Sequence, residues 1–128
     1  MALLPLNTFK TRTAVLTTGT LTKVYTAPAG VTAVILMANA ANVDTNTHLV
    51  TFAHYRNIPV APDAQGNGAQ APNTLTELVT GFPVPPNNAA NLIAGSKMVI
   101  EAFDSIIAYC ETGAVVKLTM SILETANA

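Results

Sequence analysis

The chain is poor in charge. Six Lys and Arg and seven Asp and Glu serve 128 residues, 10% of the total, with a formal net charge of −1. An ordinary soluble domain carries about 25%. So weak a field gathers neither nucleic acid nor anionic lipid, and the six cations are scattered without an aromatic stacking platform. Tryptophan is absent and aromatics make up 5%, which counts against a carbohydrate- or receptor-binding β-domain, because sugars stack on rings. The single cysteine, Cys110, excludes an intrachain disulfide. It follows an alternating apolar run and reads as a small buried hydrophobe. The longest apolar stretch, Val31 to Ala41, is far short of the roughly 20 residues a membrane helix needs. The opening Met-Ala-Leu-Leu-Pro-Leu has neither a basic leader nor a long apolar core, so no signal peptide is expected.

Catalytic and metal motifs are missing in the same way. There is no phosphate loop, no HExxH, no cysteine pair and no EF-hand loop. His48 and His54 share a strand face but stand about 20 Å apart along it, too far to hold one metal; each reads as a lone packed or interface imidazole. None of the seven carboxylates sits in a motif that separates it from a turn or surface residue, and Asp104 is expected to organise a turn. The expectation is a protein that is not an enzyme, with no cofactor and no metal site.

Against these absences stand a hydrophobic content of 50% and many Thr and Val residues. A surface built from thirteen charges must be Thr, Asn, Ala and Gln, or be covered by other subunits. Interfaces are depleted in Lys, Glu and Asp, so a permanent assembly fits best: a homo-oligomer, with a trimer favoured.

The pattern is one of strands with almost no helical period, about eight in all. They are expected at Phe9–Thr18, Leu21–Ala27, Val31–Ala40, His48–Tyr55, Leu75–Phe82, Lys97–Ala102, Asp104–Cys110 and Ala114–Leu123. Pro28-Ala29-Gly30 is a turn. Asn39 to Asn46 reads as a polar connection, and Val31–Ala40 as a strand buried on both faces or lying centrally. Pro83 to Asn88 ends the strand before it. Residues Ile58 to Asn73, rich in Pro, Gly, Asn and Gln, form a long irregular loop, bounded at its widest by 57–74; loops of that length are usually functional or disordered. The fold class is all-β: one antiparallel sandwich over 1–128, jelly-roll-like, with an N-terminal arm at 1–7 and a C-terminal tail at 125–128.

One arrangement is more specific. Val24-Tyr25-Thr26-Ala27-Pro28-Ala29-Gly30-Val31-Thr32-Ala33-Val34-Ile35 is followed by Asn42. Later come Met98-Val99-Ile100-Glu101-Ala102-Phe103-Asp104-Ser105-Ile106 and Leu118-Thr119-Met120-Ser121-Ile122-Leu123-Glu124. These segments resemble a family of small virion structural proteins of tailed bacteriophages, whose pattern runs V-Y-T-x-P-A-G, an Asn-containing connection, L-x-x-G-D-x-I and S-x-L-E. The resemblance covers both ends of the chain, about 60 residues matched on strand and turn punctuation. Phe103 departs from it, standing where the pattern has Gly.

What the resemblance implies is a sandwich subunit of a virion, made in the host cytoplasm. Its expected role is capsid decoration or cement that bridges major capsid subunits; the alternative is a neck, tail or baseplate component. The residues expected at such contacts are His54, Tyr55 and Arg56 at a strand end; Pro59, Pro62, Gln65, Asn67 and Gln70 on the loop; and Leu3, Leu4 and Leu6 on the arm. For Arg56 the equal alternative is a strand terminus with its side chain in solvent.

Overall fold

The computed structural model describes residues 7–16, 22–93, 95–110 and 116–126. Nine strands occupy them: β1 (Asn7–Leu16), β2 (Thr22–Thr26), β3 (Val31–Asn42), β4 (His48–Arg56), β5 (Thr74–Val84), β6 (Asn88–Asn91), β7 (Met98–Ile100), β8 (Ser105–Cys110) and β9 (Val116–Ala126). They form two antiparallel sheets. One runs β1-β9-β3-β6, with β7 also on β3; the other runs β2-β8-β4-β5.

The pairing follows from one long hairpin rolled up. Counting inward from both ends, β1 pairs β9, β2 pairs β8, β3 pairs β6 and β7, and β4 pairs β5. Rolling that hairpin also brings β3 beside β9 and β4 beside β8. This is the jelly-roll order, two Greek keys in two sheets. The long loop is the tip of the hairpin, between β4 and β5.

The core lies between the sheets and is set by strand alternation. Val116, Leu118, Met120 and Ile122 of β9 face inward, as do Ala33, Ile35, Ala38 and Ala40 of β3. Opposite them are Val50 and Phe52 of β4 and Ile106, Ala108 and Cys110 of β8. The Cys110 thiol is buried and reaches the Leu16 carbonyl at 3.6 Å. A register shift between Lys23 and Tyr25 lets both Val24 and Tyr25 turn into the core.

Several expectations need correction. β3 is central in its sheet, yet only one face is buried; Val34, Leu36 and Met37 on the other face are half exposed. Asn39–Asn42 belongs to β3, because Asn42 is buried and its amide donates to the carbonyls of Asn46 (2.7 Å) and Val84 (2.9 Å). Pro83 and Val84 continue β5; as an edge strand it can leave the missing N–H of proline facing outward. β6, Asn-Ala-Ala-Asn, was not expected, since its residues have low strand propensity; pairing with Asn39–Asn42 of β3 supplies the order. Three residues assigned to the arm and tail are strand residues. Asn7 pairs Thr125, and Ala126 pairs Val31, so Asn7 belongs to β1 and 125–126 to β9. Thr74 likewise opens β5. Leu3, Leu4 and Leu6 lie outside the described residues.

The Pro28-Ala29-Gly30 turn forms as expected, with Gly30 at φ 71° and the Val31 N–H bonded to the Pro28 carbonyl at 3.2 Å. Phe103 also has φ 71°. A bulky residue there is a true outlier. The strain is held by three bonds: Phe103 N–H to the Ala27 carbonyl (2.9 Å), Ala27 N–H to the Asp104 carbonyl (3.0 Å), and the Asn57 amide to the Phe103 carbonyl.

Candidate functional site

The strand end His54-Tyr55-Arg56 is a network rather than an open patch. The His54 Nε2 lies 3.0 Å from Asp104 Oδ2. Arg56 Nη1 donates to Glu101 and stands 3.4 Å from the same Asp104 oxygen. The Arg56 side chain is 14% exposed and that of Asp104 1%. Arg56 is therefore not the solvated terminus considered from sequence, because its head is drawn to a buried carboxylate. Asp104 does organise its turn, through its N–H to the Glu101 carbonyl at 3.0 Å, and its side chain does more by tying β4 to that turn. The Tyr55 hydroxyl donates to Asn73 Oδ1 at 3.0 Å, and Lys23 Nζ sits 4.9 Å from its ring centre. Beside the network a cleft of about 350 Å³ runs between His54, Arg56, Gln70, Thr74 and Thr76. Among the described residues, Asp104 Oδ1 and Arg56 Nε are buried without a hydrogen-bond partner.

His48 meets Asp44 at 2.7 Å, so each histidine has its own aspartate and the two do not converge. That bond, first among several, holds the Asp44 carboxyl below its usual range. Among the described residues no three His, Cys, Asp or Glu side chains are placed to hold a metal ion.

A second polar link joins the sheets at the β1–β2 side. The Tyr25 hydroxyl donates to Glu124 Oε2, and Lys10 Nζ lies 3.0 Å from Oε1. Burial and then the Glu124 bond push the Tyr25 hydroxyl well above its usual value, so it stays a donor. Burial pushes Glu124 up, but the Tyr25 hydroxyl and the Lys10 ammonium outweigh it and hold the carboxyl low.

The loop between β4 and β5 is pinned at two levels. Val60 and Gln70 exchange backbone bonds of 2.9 and 2.8 Å. At the tip the Asp63 carboxylate accepts from the N–H groups of Gln65 and Asn67, both at 3.0 Å, and from the Asn67 amide at 2.8 Å. The Asn67 bonds, side chain first, hold Asp63 below the usual carboxylate range. Pro59, Pro62, Gln65, Asn67 and Gln70 are all exposed along it.

The outer face of the β1-β9-β3 sheet differs from all of this. Lys10 bonds Glu124, and Ala14 and Leu16 pack on the core, so Phe9, Thr11, Thr13 and Val15 point outward by alternation. Register then sets Phe9, Leu123, Val34 and Val99 in one row across four strands. Phe9 is 74% exposed and Val99 59%. The register shift between Ile35 and Met37 adds Leu36 and Met37 to this face. Of the outward residues on β1, β9, β3 and β7, only Lys117 is charged.

No family model matches the chain, and no curated protein matches it. One solved structure is similar over 100% of this chain and 98% of its own: a protein of Bacillus endospore appendages, described as forming a novel family of disulfide-linked pili. It shares 13% identity, with a TM-score of 0.42.

Sequence reasoning singled out His54, Tyr55, Arg56 and the loop but missed the outer face. The alternation of Phe9, Thr11, Thr13 and Val15 was legible. What was not legible was which strands lie beside β1, and the row exists only through that pairing.

Proposed function

We propose that this chain is a non-enzymatic structural protein of a tailed-phage virion, acting as a capsid decoration or cement protein that bridges neighbouring major capsid subunits. The observation that carries the reading is the outer face of the β1-β9-β3 sheet, which has Lys117 as its single charge, with its apolar row from Phe9 to Val99. An apolar patch open to solvent is the usual mark of an interaction surface. Depletion of charge is the compositional mark of an interface core. The strand and turn segments that resemble the virion family lie on this same jelly roll: Val24–Ile35 covers the end of β2, the Gly30 turn and the start of β3, and Leu118–Glu124 lies in β9.

The mechanism is adhesive. A shell protein is stabilised when each junction buries a standard contact of about 1,600 Å², repeated by symmetry. The pinned loop presents Pro59, Pro62 and Gln65 in one shape, which lowers the ordering cost of contact with a capsid subunit.

The test is immunogold labelling of purified particles with an antibody to this chain. Label distributed over the heads is the expected result. Label confined to one vertex or to the tail replaces decoration by the neck or tail role, and particles without label overturn the virion reading. Deleting residues 60–72 is expected to remove the label while leaving the sandwich folded by circular dichroism.

A further inference from the structure

The outer face of the β1-β9-β3 sheet has an internal order that points to what covers it. Along β1 and β9 the outward residues form five rows, a polar Asn7–Thr125 row at the end and four beyond it. Of those four the first is Phe9–Leu123 and the last is Val15–Lys117; between them lie Thr11–Ser121 and Thr13–Thr119. The first and last of the four continue across the sheet as apolar residues, Val34 and Val99 in the first and Ala41 and Ala89 in the last. On β1 the order of those four is thus apolar, hydroxyl, hydroxyl, apolar, the same in both directions; on β9 it is Leu123, Ser121, Thr119 and Lys117.

We propose that this face packs against the same face of a second copy about a two-fold axis crossing the strands between Thr11 and Thr13. The proposal rests on the reading of the chain as an assembly protein and makes a second copy the partner of that surface, which leaves the pinned β4–β5 loop to meet a capsid subunit. An isologous contact needs a self-complementary patch, in which residue i meets residue j and j meets i. Here the axis lays Phe9 over Val15 of the second copy, Leu123 over Lys117, and Val34 over Ala41, each reciprocated. Phe9 is the most exposed large apolar side chain of the face at 74%. Beside Val15 lies a shallow hollow of about 340 Å³, bordered by Thr13, Lys117 and Thr119, into which the ring fits. On β1 and β9 the middle rows are small hydroxyl residues, which let these strands approach the second copy to the usual sheet spacing of about 10 Å; on β3 the axis lays Met37 over Asn39.

Charge and size agree. Lys117 is the one charged residue of these rows; in the pair its stem lies along Leu123 of the second copy while its ammonium reaches toward solvent. The two Lys117 residues of a pair stand six residues apart along β9, about 20 Å at 3.3 Å per residue. That exceeds the screening length of about 8 Å at physiological salt, so they do not oppose pairing. The face is four strands wide and ten residues long, about 600 Å² in projection at 4.8 Å per strand and 3.3 Å per residue. A stable complex takes about 800 Å² of accessible surface from each partner, and side-chain relief brings a projected face of this size close to that value. A second copy is favoured over a charged partner because the face offers no acid and one cation for such a partner to match.

Sedimentation velocity over a range of concentrations tests this on the full chain. The expected result is a salt-insensitive monomer–dimer equilibrium. The double variant F9D/V15D should weaken it at least about a hundredfold, because it buries four aspartates per pair where apolar side chains met. L49D, placed on the outside of the other sheet, should leave it unchanged. Thr11→Cys should cross-link into a dimer with a short bismaleimide, a readout that does not depend on the aspartates folding. A monomer at every concentration, a trimer or larger ring, a dimer indifferent to F9D/V15D, or no cross-link at Thr11→Cys would overturn the two-fold contact. Particle labelling is read separately: a dimer found on no particle defeats the virion reading and leaves the contact standing, and a monomer found on particles does the reverse.

Discussion

On the outer face of the β1-β9-β3 sheet the row from Phe9 to Val99 meets solvent with no partner among the described contacts and only Lys117 charged nearby. At the β4 end of the other sheet, Arg56, His54, Asp104 and Glu101 are drawn into one network around a carboxylate that is 1% exposed. The same chain thus places its charge where it locks the fold and withholds it where the surface is open. Ion pairs around a buried carboxylate act on stability, because removing one partner strands the other in low dielectric. An open neutral face contributes little to the monomer and acts only when something covers it. The two regions should therefore separate cleanly under mutation, one in folding and the other in association.

The largest effect is expected at the network. Asp104→Ala leaves the buried Arg56 head without its inner carboxylate and breaks the His54 bond; the cost is about 3 kcal/mol in urea unfolding. The fraction that folds should still associate as the native chain does. Next is Glu124, on the reverse side of the neutral face. Its carboxyl is held low in the folded state, so its contribution is complete above the ordinary carboxyl range and is lost as pH falls through the lowered value. Glu124→Gln should cost about 1–2 kcal/mol at neutral pH and flatten the acid limb of a stability–pH profile.

Phe103→Gly goes the other way. The left-handed φ of 71° penalises any residue with a Cβ, and glycine removes that strain while adding chain entropy when unfolded. A net gain of about 0.5–1 kcal/mol is expected in thermal melts. The smallest effect is Phe9→Thr. At 74% exposure it should shift unfolding by less than about 0.5 kcal/mol while weakening association, and a large loss of stability would erase the contrast between the regions.

Much of the fold was legible because it rests on period-two alternation and turn chemistry. The strands from His48 and from Val116, the Pro28–Gly30 turn and the buried Cys110 follow from residue order alone. β6 was not, since Asn-Ala-Ala-Asn becomes a strand only by lying along β3. The extension of β3 to Asn42 was hidden for a similar reason: an asparagine reads as a turn former until its amide is seen serving two carbonyls. The Phe103 departure from the resembling pattern was legible, and the structure shows the chain keeping the glycine conformation without the glycine. Of the site, the sequence pointed to His54, Arg56 and Asp104 as separate residues. Their convergence, and the row from Phe9 to Val99, depend on which strands are neighbours, and strand order leaves no mark on local periodicity.

The central claim is that the neutral outer face is the surface through which this protein assembles. Hydroxyl-radical footprinting of the chain, dilute and then concentrated or bound to particles, tests it most directly. The account predicts that Phe9, Leu36, Met37 and Leu123 lose reactivity on assembly while Tyr109 and Leu49 keep theirs. Unchanged reactivity at Phe9, Leu36, Met37 and Leu123 in the assembled state would contradict it.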